Sequence, residues 1–244
     1  MKNIAITFKS QGASFSLSYH YHIQGLIYKL LSENKDYSDF LHENGYEADG
    51  KKFKLFTYSS LDGNKIVRGS EKYMYFPDFI HLNIRSVSEV FTDCLVRELQ
   101  NRGSVNLMEN VLSVYDIKPS QPEIVEDEIS IKFLSPISAH ITLGESGQTE
   151  FLTPFDPRFE KYMDQNFRRK YMSYYGSEPK SGILLEAQLI AKKDKYVTWF
   201  KSDYITGWRG KYKLSGDPEY LTFLYYTGLG SHNSAGFGMF AIEA

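Results

Sequence analysis

The order in which the hydrophobic pattern changes period is what most restricts the fold of this chain. Ile4, Ile6 and Phe8 alternate as in a half-buried strand, and a polar Ser/Gly/Gln stretch follows. From about Tyr19 to Leu31 the apolar residues then recur at helical spacing. A short second helix is expected over Asp36 to Glu43, stopped by Asn44-Gly45. The stretches 53–61 (FKLFTYSSL) and 72–84 (KYMYFPDFIHLNI) are rich in aromatic and β-branched residues, and Asp62-Gly63-Asn64 separates them. Pro77 marks an edge or a break in the second of these. Val87 to Leu99 reads as a helix with Val87, Val90, Phe91, Cys94, Leu95 and Leu99 on one stripe.

The same order then repeats. EISIKFL opens the second half as a strand, a helix spans about Asp156 to Tyr175, and ILLEAQLIA, KYVTWFK and a segment from Ile205 to Leu214 read as strands. A short helix near Asp217 to Tyr226 and a closing strand, FGMFAIEA, complete it. Two βαββαβ units predict an α+β chain of two tandem ferredoxin-like, RRM-like domains. Their boundary is expected in the proline-bearing polar segment 117–128, giving domains 1–120 and 121–244. Four-stranded sheets of this kind are a common platform for single-stranded RNA, although fold alone does not establish function.

Composition narrows the classes that remain. With 42% hydrophobic, 24% charged and 16% aromatic residues, the chain is an ordinary globular protein and not a disordered one. The single cysteine, Cys94, leaves no internal disulfide framework and no four-cysteine zinc site. The N-terminus lacks a signal-type apolar segment, and no later stretch reaches the ~18 apolar residues that span a bilayer, so the expectation is a cytoplasmic protein without a membrane partner.

A net charge of −2 is not the global signature of a nucleic-acid binder. Distribution tells more than the sum, because residues 158–213 hold 13 Lys/Arg against 6 Asp/Glu. Lys192, Lys193, Lys195, Arg209 and Lys211 lie in that segment, interleaved with Tyr196, Trp199, Trp208 and Tyr212, whose rings are candidates to pack on bases. The ordinary alternative is a solvated helix and hairpin face.

The first two helices and the strand after them carry the most informative polar residues. Ile23, Leu26, Ile27, Leu30 and Leu31 share one helical face, and Tyr28 falls away from it. His42 likewise lies off the apolar side formed by Tyr37, Phe40 and Leu41. Lys54 follows Phe53 in an expected strand, pointing opposite Phe53 and Leu55 and alongside Phe56 and Tyr58. Singly, these are a surface tyrosine, a helix-terminal cation and a snorkelling lysine. Jointly, phenol, imidazole and ammonium supply what metal-free RNA scission requires: a base for a 2′-OH, an acid for the 5′-oxygen, and a positive charge near phosphorus. Lys51 and Lys52 compete with Lys54, and His20 and His22 with His42. The H-x-H pair has no companion carboxylate or cysteine cluster that would make a metal site.

The stretch 228–238, GLGSHNSAGFG, is the other anomaly. Its glycines precede a strand, whereas a dinucleotide fingerprint needs strand, glycine loop and helix in that order, and a Walker loop is absent, so no cofactor is expected. Gly228, Gly230, Gly236 and Gly238, with Ser231, His232 and Asn233, require either close packing or a ligand such as a sugar-phosphate chain.

The ending GLGSHNSAGFGMF resembles the glycine-rich loop of the repeat-associated (RAMP) superfamily. YHIQGLIYKLL (21–31), FLHENGY (40–46) and FKLFTYS (53–59) are similar to the motifs of its processing endoribonuclease, the CRISPR-associated family numbered six. That resemblance implies two ferredoxin-like domains and a catalytic tyrosine, histidine and lysine at Tyr28, His42 and Lys54. It also implies cleavage of CRISPR repeat RNA into guide RNAs with 2′,3′-cyclic phosphate ends, with a CRISPR effector ribonucleoprotein as a further partner. A non-catalytic RNA-binding subunit of such a complex is the alternative, and dimerisation is left open.

Overall fold

The computed structural model describes residues 1–68, 72–144 and 147–243. Its first sheet runs Phe56–Tyr58, Phe79–Ser86, Lys2–Lys9, Asn110–Ser120 and Ser104–Leu107 from edge to edge, with every neighbouring pair antiparallel. Helices His20–Leu31 and Glu89–Arg102 supply the two crossovers. The strand order second, third, first, fourth is that of a ferredoxin-like unit, with Ser104–Leu107 added as an outer hairpin strand. The alternation at the N-terminus does what its period requires, since Ile4, Ile6 and Phe8 are buried against the inward stripes of both helices. Ser88 caps the second helix by accepting from the Phe91 amide, and Gly103 ends it in the left-handed conformation. Val90 alone of the expected stripe is exposed.

The second sheet repeats the order with Leu184–Leu189, Lys211–Ser215, Glu128–Phe133 and Phe240–Ile242. Helices Phe159–Tyr175 and Pro218–Thr227 cover it. Asp217 caps the latter, with Pro218 in its first turn, where a missing N–H costs nothing. The core here centres on Ile131, Phe133, Phe167, Leu214 and Phe223. Residues 121–127, between the sheets, form neither helix nor strand. Among the described residues, no helix is long and apolar enough to cross a membrane.

Five local expectations need correction. Part of the supposed loop after the first strand, Ala13–Ser16, is a strand paired with Tyr73–Phe76, which in turn pairs with Ile66–Arg68 in a small separate sheet. The stretch 53–61 is not one strand: Lys51–Phe53 belongs to a hairpin, Leu55 turns at φ 48°, and Phe56–Tyr58 joins the main sheet. The face-alternation argument for Lys54 therefore fails across that kink. Lys195–Phe200 is not in the main sheet either; it pairs with Asp203–Trp208 as a projecting hairpin. Arg209-Gly210 then redirects the chain, so the expected strand from Ile205 to Leu214 divides in two. The closing strand is three residues, Phe240–Ile242, and Ala244 lies outside the described residues.

The two domains are tied by buried polar contacts. Arg85, on a central strand of the first sheet, donates from Nε to Asn3 Oδ1 at 3.1 Å and from Nη1 to the carbonyls of Tyr225 (3.3 Å) and Phe240 (2.6 Å). Its guanidinium carbon lies 3.5 Å from the Tyr225 ring centroid. Thr57 Oγ1 donates to the Phe237 carbonyl at 3.0 Å, and Arg209 Nη2 to Ser60 Oγ at 2.8 Å.

Candidate active site

Helix His20–Leu31 carries two stripes. Ile23, Leu26, Ile27, Leu30 and Leu31 are its buried side. Tyr21, Gln24, Gly25 and Tyr28, spaced three and four apart, line a cavity of about 490 Å³. Tyr28 is half-buried, its ring edge-on to Phe56 at 6.2 Å between centroids, and burial raises its phenol above the ordinary tyrosine range. No added Cβ at Gly25 would meet another atom within 4 Å, so the wall one turn before Tyr28 is open.

His42 and Lys54 reach the same cavity through one compact device. The helix beginning at Lys35 widens into a π-turn over Phe40–Asn44, closed by the Gly45 amide donating to the Phe40 carbonyl at 2.7 Å. The chain then folds back as a hairpin, with Tyr46 paired to Phe53 and Ala48 to Lys51. Asp49 and Gly50 form its two-residue turn at φ 49° and 67°, the pair of positive values that a type I′ turn needs. The register sets Lys54 beside Gly45, and Lys54 Nζ donates to the His42 carbonyl at 3.2 Å. A side chain at Gly45 would stand 2.6 Å from the Phe53 carbonyl and 3.4 Å from Lys54 Nζ. Burial, and then Lys52, lower the basicity of Lys54.

Tyr28, His42 and Lys54 thus line one cavity with Tyr21, Gln24, Lys201 and Ser234. His42 is exposed, Tyr28 and Lys54 half-buried. Their competitors lie elsewhere. Lys51 and Lys52 line a neighbouring cavity, Lys52 donating to the Glu43 carbonyl at 2.8 Å. His20 is wholly buried between Tyr19 and Phe237, neither ring nitrogen has a hydrogen-bond partner among the described residues, and burial lowers its pKa to about 3. His22 is exposed and borders a further cavity with Trp199 and Lys201. Lys201 lies in the basic segment 158–213 and Ser234 in the glycine stretch 228–238, but nothing in either pattern set them apart as site residues; each is placed by a turn of the second domain.

The glycine loop is packed, not open. A Cβ at Gly236 would lie 2.3 Å from the Tyr58 ring and 2.5 Å from His20 Nδ1; one at Gly230 would lie 2.3 Å from the Ser138 carbonyl. Gly228 is similarly hemmed in by Asn233 and Thr57, and Gly238 by Leu229 and Asn233. Of the two explanations for four glycines, close packing is the one met by protein atoms. Lys170, 2% exposed, anchors the loop by donating to the carbonyls of Gly228 (2.9 Å) and Gly230 (2.8 Å) and to Asn233 Oδ1 (2.5 Å). Asn233 Nδ2 in turn donates to Leu229 and Phe237. Gly230, Ser231, His232 and Asn233 border the neighbouring cavity, and Gln24 Nε2 donates to the Ser234 carbonyl at 2.7 Å, joining the loop to the helix of Tyr28.

The basic segment is divided. Lys193, Arg209 and Lys211 border a separate cavity of about 410 Å³ with Lys132, while Lys192 and Lys195 are exposed beside it in sequence. Lys211 pairs with Glu243 at 2.9 Å. Of the interleaved rings, Trp208 and Tyr212 are core residues and Tyr196 donates to the Leu17 carbonyl, so Trp199 is the ring left exposed to solvent.

Tandem ferredoxin-like domains with a glycine-rich loop wedged between them and a polar cleft on the first define a RAMP-type protein. Residues 14–118 match the family model described as CRISPR-associated protein Cas6, N-terminal, and residues 119–242 match that of the Cas6 C-terminal region. The chain belongs to the Cas6 family. It is 27% identical over 238 residues to the CRISPR-associated endoribonuclease Cas6 of Pyrococcus furiosus, covering 96% of this chain and 86% of that one. It is 26% identical to CRISPR-associated endoribonuclease Cas6 1 of Methanocaldococcus jannaschii, over 91% of this chain and 85% of the relative. A solved structure described as a RAMP protein binding different RNA substrates superposes with a TM-score of 0.85 at 19% identity over the full length of both chains.

Proposed function

We propose that this chain is an endoribonuclease that cuts CRISPR repeat-containing precursor RNA without a metal ion, with Tyr28, His42 and Lys54 as its catalytic residues. The observation that carries the reading is that these three side chains, from a helix, a π-turn and a hairpin end, line one cavity. The names of the relatives, CRISPR-associated endoribonucleases, supply the substrate class.

Each residue type suits one part of the reaction. Histidine changes charge near neutral pH, and His42 takes the proton from the 2′-OH of the nucleotide before the cut. The 2′-oxygen attacks phosphorus, the bond from phosphorus to the 5′-oxygen breaks, and Tyr28 gives its proton to that leaving oxygen. The products are a 2′,3′-cyclic phosphate and a 5′-OH, and solvent carries the proton from imidazolium back to the phenolate. Burial of Tyr28 favours its protonated form, which suits a donor and not a base. Lys54 stabilises the negative charge that builds on the phosphoryl oxygens. The functional division of the chain is proposed at 120/121, with catalysis on the first domain and the glycine loop contributed by the second.

Incubating the purified protein with repeat RNA in EDTA, and identifying the product ends by mass spectrometry, tests substrate and chemistry together. The expected result is one cut per repeat with cyclic phosphate and 5′-OH ends. Binding without cutting would assign the chain to a non-catalytic RNA-binding subunit, and activity restored only by a divalent ion would overturn the metal-free mechanism.

A further inference from the structure

The catalytic cavity does not end at the catalytic groups. Tyr21 and Lys201 line it, and both also line a further cavity of about 720 Å³ with His22 and Trp199, so the two are contiguous. One wall of the further cavity comes from the first turn of helix His20–Leu31, the other from the tip of the projecting hairpin. The Tyr21 ring stands T-shaped to Phe200 at 5.8 Å, which joins the two walls, and to His22 at 5.7 Å.

These side chains face solvent. Tyr21 is 46% exposed and Trp199 44%, and His22 and Lys201 are exposed with them. Trp199 is nevertheless held in place, because Tyr204, its direct partner across the hairpin, stands T-shaped against it at 4.7 Å. An indole already oriented at a cavity rim loses little freedom when a flat ligand lies on it. Lys201 occupies the two-residue turn between Phe200 and Asp203 at φ 55°, a conformation that glycine or asparagine takes more readily, so lysine there needs a reason beyond the turn. The carboxylate two residues on, Asp203, accepts from Ser202 Oγ at 2.9 Å, and Lys201 has no ion pair among the described residues. Its ammonium is therefore free for an anion at the junction of the two cavities.

A single RNA strand presents phosphates and flat bases by turns, and the walls offer matching groups in sequence: Tyr28, His42 and Lys54, then a cation, then exposed rings. We propose that this groove carries the strand on one side of the cut, with Lys201 holding the phosphate next to the scissile one and Trp199 stacking on a base beyond it. The inference rests on the nuclease reading above. Charge neutralisation along the backbone and stacking on aromatic rings are how proteins track single strands, and both means are present here. Every base has a flat face, so the contact fixes the path of the strand and not the sequence that is cut.

The test uses repeat RNA with a 2′-deoxy nucleotide at the cut, which binds without turning over. Of the two tryptophans, Trp208 is only 9% exposed, so bound RNA is expected to quench emission in the wild type and not in Trp199→Phe. An abasic nucleotide scanned along the RNA is expected to abolish the quench at one position, on one side of the cut. Trp199→Ala is expected to weaken binding roughly tenfold and Trp199→Phe by much less, with neither affecting RNA that ends before that position. Lys201→Met is expected to weaken binding roughly tenfold and to reduce the slope of log K against log salt by about 0.7, the share of one phosphate on a single strand. A merely structural contact would not move that slope. Both side chains are exposed, so these variants are expected to fold. Wild-type emission unmoved by bound RNA, or an unaltered salt slope in Lys201→Met, overturns the proposal. Quenching and slope as expected, with the all-ribose RNA left uncut, would remove the nuclease reading and keep the groove as an RNA path. No binding of RNA would remove both.

Discussion

Tyr28 can lose its hydroxyl without losing its packing, because the ring and not the oxygen rests on Phe56. Tyr28→Phe is therefore expected to change stability by less than about 1 kcal/mol while slowing cleavage by roughly 10²-fold, the ordinary worth of a positioned acid. His42→Ala, at an exposed side chain, is expected to slow cleavage by about 10²-fold or more with RNA affinity nearly unchanged. The two losses are separable by chemistry. An RNA whose 5′-bridging oxygen at the cut is replaced by sulfur expels a thiolate, which needs no proton. On that substrate Tyr28→Phe is expected to match the wild type within about threefold, while His42→Ala stays slow. The reverse pattern, measured by single-turnover kinetics, would exchange the acid and base assignments.

The elements around the site are held by a buried cation. Lys170 places each of its three ammonium hydrogens on an oxygen of the glycine loop. Lys170→Met leaves those oxygens buried without a donor, an expected loss of about 3 kcal/mol in denaturant unfolding. Burial also lowers the lysine to about 7, below its ordinary 10.5. In that interval the unfolded chain binds a proton that the folded chain has released. Wild-type stability relative to Lys170→Met is thus expected to rise between about pH 7 and 10 and to be flat below 7; a flat difference throughout would show that the loop oxygens hold the ammonium at its ordinary pKa. Little of this was legible in the sequence. Helical and strand periods marked Ile4, Ile23 and Phe91 as core because each answers to a local pattern, and the off-face positions of Tyr28 and His42 were legible for the same reason. The hairpin that leads to Lys54 turns at Asp49-Gly50, a pair that suits a type I′ turn, but its arms of three residues each, Tyr46–Ala48 and Lys51–Phe53, are too short for a strand period to show. The kink at Leu55 had no such sign, since leucine is not a residue that favours positive φ.

At the scale of the whole molecule, all three proposed catalytic groups belong to the first domain, yet Lys201 and Ser234 of the second complete their cavity. Its shape therefore depends on how the domains are locked, and Arg85 is a buried, charged lock among them, 3% exposed with its charge turned onto two second-domain carbonyls. Burial lowers its pKa to about 10, which leaves it cationic at neutral pH. Arg85→Met leaves Asn3 and both carbonyls short of a donor, a loss on the order of 3 kcal/mol, or a Tm lower by roughly 6–12 °C for a chain of this size. Arg85→Lys is expected to recover little of it, because an ammonium cannot serve Asn3 and the carbonyls with one planar fork or lie flat on the Tyr225 ring. The cleavage rate is expected to fall in both variants even at temperatures where the chain stays folded, as Ser234 and Lys201 drift from the cleft. Calorimetry paired with single-turnover rates decides it. An unaltered Tm would show that Thr57, Arg209 and the apolar contacts suffice to join the domains, whereas a lowered Tm with an unaltered rate would show that the first domain holds its cleft in shape unaided.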